Sequence, residues 1–175
     1  MGQIKRKYLG KCKEDVSSNP EFYMNVAEAI SKKSMDPSTG VGACIVKKGK
    51  IISYGYNRPP KKWNIKNFPW GNSKDIPYEC TKYPYICHAE CTAICNAKKS
   101  KRVKNSTMYV TLFPCNECAK MMALYGIKRV VYKDKRPPQT SFDMAEEIFN
   151  NTGIEFIHID EYKNKKVLTK KNEGK

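Results

Sequence analysis

The sequence has no apolar run approaching the ~20 residues needed to cross a bilayer as a helix, so an integral helical membrane protein is excluded. Its first residues, MGQIKRKYLGK, carry charge but no apolar stretch, and a secretory signal is not expected. A myristoylation motif fails as well, because Arg6 stands where Ser or Thr is required. A cytoplasmic location is the expectation, with no membrane partner. Acidic residues are also scarce. Asp and Glu number 17 against 33 Lys and Arg, a formal net charge of +16. Such an excess draws anions: nucleotides, nucleic acid or phosphorylated metabolites. Much of it lies in solvated runs, Lys98-Lys99 with Lys101-Arg102 and Lys163 through Lys171, so charge alone does not establish nucleic-acid binding.

What is present is the composition of a globular domain, 40% hydrophobic and 29% charged. A chain of 175 residues can bury a core as one domain without covalent staples. In a reducing compartment the eight cysteines read as thiols, and close pairs become metal candidates. One CxxC occurs, Cys115-Asn116-Glu117-Cys118, whereas Cys12, Cys44, Cys91 and Cys95 read as small apolar residues.

Periodicity and breakers divide the chain into a basic arm (1–18), a single domain (19–162) and a basic tail (163–175). Asn19-Pro20 opens a helix as cap and first helical residue, with Phe22, Tyr23, Val26, Ala27 and Ile30 as its apolar stripe. Runs at 42–46 and 51–56 predict a β-hairpin turning through Lys47-Lys48-Gly49-Lys50. An insert, 58–86, is rich in Pro, Trp, Asn and Tyr without any period, and inserts of that length inside a compact domain are commonly functional. Helices follow at 88–98, 115–125 and 142–150, and strands at 107–112, 129–132 and 154–159. The alternation argues an α/β protein, a three-layer α/β/α domain.

Two motifs each open a helix. His88 and Glu90, two residues apart, would diverge on a regular helix and can converge only at its mouth. Cys115 and Cys118, three apart, share a face directly after Pro114. A helix N-terminus favours thiolates. One histidine and two thiolates are a catalytic zinc set, three ligands with the fourth tetrahedral position open to water, whose pKa zinc lowers from ~15.7 to about 7. Glu90 is then free to shuttle protons. The arrangement H-x-E…P-C-x-x-C matches a known signature of zinc nucleobase deaminases. Two readings compete with it: coincidence, with His88 structural, and a closed four-thiolate zinc built from Cys80, Cys87, Cys115 and Cys118. The second leaves His88 and Glu90 unexplained.

The chain resembles the deoxycytidylate (dCMP) deaminases of the cytidine deaminase superfamily. The matching stretches are DPSTGVGA at 36–43, Gly55-Tyr56-Asn57, Pro69-Trp70, KYPYICHAE at 82–90 and MYVTLFPCNECAK at 108–120. The resemblance implies a cytidine-deaminase-like fold with a central five-stranded mixed sheet. It also implies zinc-dependent hydrolysis of dCMP to dUMP and ammonia, supplying dUMP for dTTP synthesis. It carries His88, Cys115 and Cys118 over as zinc ligands and Glu90 as the acid–base residue. It suggests Lys33 for the substrate phosphate and Asn57 for a sugar or phosphate hydrogen bond. Lys135 and Arg136 are phosphate neighbours by the same resemblance, left aside because Arg136-Pro137-Pro138 departs from the family pattern. A homohexamer regulated by dCTP and dTTP is implied too, although Arg58-Pro59-Pro60 departs from that pattern. With only Cys80 and Cys87 left over and no histidine besides His158, a second zinc is not expected. A deaminase acting on RNA or single-stranded DNA is the alternative. Its motive is the net charge and the aromatics Trp63, Trp70, Tyr78, Tyr83 and Tyr85, which could stack bases.

Overall fold

A computed structural model of the protein describes residues 19–98, 102–136 and 140–164. The arm 1–18, with Cys12, and residues 165–175 of the tail lie outside them.

Helix α1, Pro20–Ser31, starts as expected: Asn19 is its N-cap, accepting a hydrogen bond from the Glu21 amide at 2.9 Å. Strands β1, Gly42–Lys47, and β2, Lys50–Tyr56, form an antiparallel hairpin. Its two-residue turn puts Lys48 and Gly49 at φ 50° and 71°, the left-handed pair that matches the twist of the flanking strands. Next come α2, Ala89–Asn96; β3, Thr107–Leu112; α3, Asn116–Leu124; β4, Arg129–Asp134; α4, Thr140–Thr152; and β5, Glu155–His158. The sheet order is β2-β1-β3-β4-β5, antiparallel up to β3 and parallel from β3 to β5, so the five-stranded mixed sheet is as expected.

Alternation along the strands builds two cores. Ala43, Ile45, Met108, Val110 and Val130 face one side and pack under Ala89, Ala93 and Ile94 of α2, Cys118, Ala119 and Met122 of α3, and Phe142, Ala145 and Phe149 of α4. Cys44, Val46, Tyr109, Val131 and Ile157 face the other, against Tyr23, Met24 and Ala27 of α1 and Tyr162 beyond β5. That is the three-layer arrangement. The stripe of α1 is rotated from its expected position: Tyr23, Met24 and Ala27 are buried, whereas Phe22 is 38% exposed. Cys44 is core as read, but Cys95 is exposed.

The insert is irregular but packed. It holds two 3-10 turns, Ile65–Asn67 and Tyr78–Cys80, and Arg58 pairs with Cys87 at its base. Trp63 contacts Phe68 and Tyr85, and Phe68 contacts Trp70, with ring centroids 4.5–5.3 Å apart. Those aromatics hold the insert together; Tyr78 and Tyr83 stay exposed.

Candidate active site

Both motifs lie at helix N-termini on the same side of the sheet. His88 is the N-cap of α2 and Cys115 the N-cap of α3, which follows β3 through Phe113-Pro114. The His88 side chain caps nothing; its Nδ1 stands 3.4 Å from Cys115 Sγ and 3.3 Å from Cys118 Sγ. A tetrahedral zinc with bonds of 2.0–2.1 Å to nitrogen and 2.3 Å to sulfur would set such edges at about 3.6 Å, so the three donors fit the ion. Among the described residues, these three are the group whose ligand atoms all fall within 4.8 Å of one another. Cys80 and Cys87 do not join them, and the four-thiolate reading is set aside. Cys91, one turn along α2, is half-buried with its sulfur 3.9 Å from that of Cys118.

The electrostatics suit metal capture. Hydrogen bonding to Cys115 raises the His88 pKa to about 9 against the opposing effect of burial, with help from Glu90. The hydrogen bond with Cys118 lowers Cys115 to about 4, burial notwithstanding, and the same bond pushes the Cys118 thiol upward. Thiolate and neutral imidazole are the forms that ligate a metal, so binding at this site is coupled to proton release. Glu90 is 4% exposed, and burial raises its carboxyl pKa, with the His88 charge only partly offsetting the effect.

A cavity of about 260 Å³ opens onto His88, Glu90 and Cys115. Its walls include Leu112, Phe113 and Phe142, and its polar lining Asp36, Thr39, Asn57, Lys82, Arg136 and Ser141. Asn57, a predicted substrate contact, lines it and is 6% exposed. Its Oδ1 accepts from the Val41 amide at 2.7 Å, and its Nδ2 donates to Asp36 Oδ2 at 3.1 Å and to the Thr39 carbonyl at 2.9 Å. Lys33, the predicted phosphate contact, is not part of the lining: it is exposed, with Nζ 5.9 Å from the Tyr56 ring centroid.

Sequence reasoning missed a buried ion pair in this wall. Lys82 Nζ lies 2.6 and 2.7 Å from the two oxygens of Asp36, the side chains being 6% and 2% exposed. Asp36 Oδ1 also accepts from the amides of Ser38 and Thr39. Burial raises its pKa, but the hydrogen bonds from Lys82 and these amides outweigh it, and the net shift is downward. Both residues fall inside the stretches that carry the family resemblance, the one signal that could have linked them.

A family model described as the cytidine and deoxycytidylate deaminase zinc-binding region matches residues 17–134. The chain belongs to this deaminase family. Human deoxycytidylate deaminase is 43% identical over 148 residues, covering 83% of this chain and 82% of the relative. The enzyme of phage T4 is 30% identical over 186 residues, covering 85% and 92%. Among solved structures, the dCMP deaminase of cyanophage S-TIM5, in complex with dCMP and dUMP, superposes with a TM-score of 0.65 at 28% identity, covering 85% of this chain and 99% of that one. The fold of this family is the one described above, and His88, Cys115 and Cys118 lie within its zinc-binding region.

Proposed function

We propose that the protein is a zinc-dependent deaminase converting dCMP and water to dUMP and ammonia. The observation that carries this is the His88–Cys115–Cys118 donor triangle opening, together with the buried Glu90, onto one cavity. At about 260 Å³ the cavity falls just below the range of small-molecule sites, which begins at about 300 Å³, and so suits a small ligand. The human relative and the nucleotide-bound cyanophage structure favour dCMP among pyrimidine nucleotides.

The three donors would hold zinc, which when bound supplies Lewis-acid activation of water at neutral pH. Glu90 does the proton work. Its carboxylate accepts a proton from the attacking water and delivers it to ring N3 as the C4–O bond forms. It then carries the second water proton to the amine as the C4–N bond breaks. One carboxyl can serve as base and then acid because burial raises its pKa above the ordinary carboxylate value, easing proton uptake beside the metal donors. Phe113 and Phe142 form an apolar wall of the cavity. Asn57, fully engaged with the 36–41 loop, acts on substrate chiefly by fixing that wall.

Assembly as a homohexamer with dCTP and dTTP as effectors belongs to the same reading, supported by the family resemblance. The deciding experiment offers zinc-loaded protein dCMP, CMP, deoxycytidine and a cytosine-containing oligonucleotide and follows ammonia release. Turnover of dCMP well above the others is expected; turnover of the oligonucleotide without dCMP overturns the proposal in favour of a polynucleotide editor.

A further inference from the structure

We propose that Arg136 is the residue that grips the substrate's 5′-phosphate, in the role expected of Lys33. This rests on the mononucleotide reading above.

A phosphate dianion needs a cation that is not already neutralised. Lys82 and Arg136 are the lysine and arginine of the described cavity lining, His88 being a metal donor, and Lys135 stands over the ring of the lining residue Phe113. Lys82 is consumed: both oxygens of Asp36 hold its ammonium in a buried pair. Lys135 is consumed too, ion-paired with Glu146 and standing 4.9 Å from the Phe113 ring centroid. Arg136 differs. It is exposed at the cavity opening, and its hydrogen-bond partner is neutral, Nη2 donating to Thr39 Oγ1 at 2.7 Å.

A guanidinium has five N–H donors in a planar fork, so one bond to a hydroxyl leaves the geometry needed for two parallel bonds to phosphate oxygens. A lysine has no such fork. The acids of the lining do not compete. Glu90 sits buried beside the metal ligands, and Asp36 is committed to Lys82, Asn57 and two amides. The hydrogen bond to Thr39 spans from the end of β4 to the loop between α1 and β1, placing the guanidinium across the opening. Thr39 is itself fixed, its amide on Asp36 and its carbonyl on Asn57. The network that a sequence reading would assign to substrate thus anchors the partner of the cation that binds it. Lys33 has neither feature: it lies outside the lining, beside Tyr56.

The test compares zinc-loaded wild type, Arg136→Ala, Arg136→Lys and Lys33→Ala on dCMP and on deoxycytidine, with inorganic phosphate as a competitor. Charged hydrogen bonds of this kind carry factors of about 10–100. Arg136→Ala should raise KM for dCMP by that factor while changing deoxycytidine turnover less than twofold, and should abolish competition by phosphate. Arg136→Lys should recover part of the loss. Equal losses on both substrates, unchanged KM for dCMP, or a phosphate-specific loss in Lys33→Ala alone would overturn the assignment. Failure of the wild type to deaminate dCMP would instead refute the mononucleotide reading.

Discussion

At the scale of single residues, Glu90 carries the sharpest expectation. Glu90→Gln preserves shape and hydrogen-bonding capacity but cannot gain and lose the proton. Turnover should fall by about 10²–10⁴-fold with bound zinc unchanged, as read by ammonia release beside metal analysis of the same sample. Loss of zinc in parallel would make Glu90 a metal-site support instead. The Asp36–Lys82 pair makes a second prediction. Removing one partner of a buried pair leaves the other uncompensated, so Lys82→Met should cost about 3–5 kcal/mol at pH 7 in denaturant unfolding. Asp36 has a folded pKa below its unfolded value of 3.8, so its stabilisation is complete above that value. It is lost as pH falls through the folded pKa. The gap between wild type and Lys82→Met should therefore narrow below about pH 4; a gap independent of pH would mean that packing of the lysine stem is the cause. His88, Glu90, Cys115 and Cys118 were legible because their types and spacing occur at two helix starts. Asp36 and Lys82 were not, because an aspartate before a proline and a lysine in a Tyr-rich stretch read as surface residues, and 46 residues separate them.

At the scale of elements, the site depends on how closely α2 packs on β2. Gly55 makes this possible: a Cβ there would lie 2.3 Å from the Ala93 amide nitrogen and 2.5 Å from the Ala89 carbonyl oxygen. Both are backbone atoms of the helix whose first turn carries Glu90 and whose cap is His88. Gly55→Ala should cost about 3 kcal/mol, the upper range for overpacking, and lower zinc affinity as α2 is displaced. Thermal melting together with a zinc-chelator competition would check it, and a variant with normal stability and affinity would contradict the close-packing account. Element types were legible where local chemistry is strong. Asn19-Pro20 and Lys48-Gly49 each dictate one backbone geometry. The face of α1 was not: Phe22 and Met24 are both apolar, and only the position of the sheet decides that Met24 is covered and Phe22 left out. The insert had no period to read because its order comes from aromatic contacts and from Lys82 reaching Asp36, none of which recurs at a fixed spacing.

At the scale of the whole molecule, a protein of formal charge +16 is proposed to take an anionic substrate. Such a field raises encounter rates with anions and is screened by salt, the Debye length shrinking from about 10 Å at 0.1 M to about 3 Å at 1 M. Raising salt across that range should lower kcat/KM for dCMP several-fold and leave deoxycytidine nearly unaffected. Equal responses would show that the charge serves something other than substrate capture. The sequence by itself determined the reaction class and which residues are proposed as metal donors and proton carrier, because zinc coordination and acid–base chemistry require particular residue types at short spacings near helix ends. Only the tertiary structure decided which cation stands free at the cavity. That depends on which lysines find carboxylates, and Asp36 with Lys82 and Glu146 with Lys135 are matched by the packing of separate segments. Among the described residues of the cavity lining, Arg136 is the arginine or lysine without a carboxylate partner, a property of the folded arrangement that no stretch of the chain encodes locally.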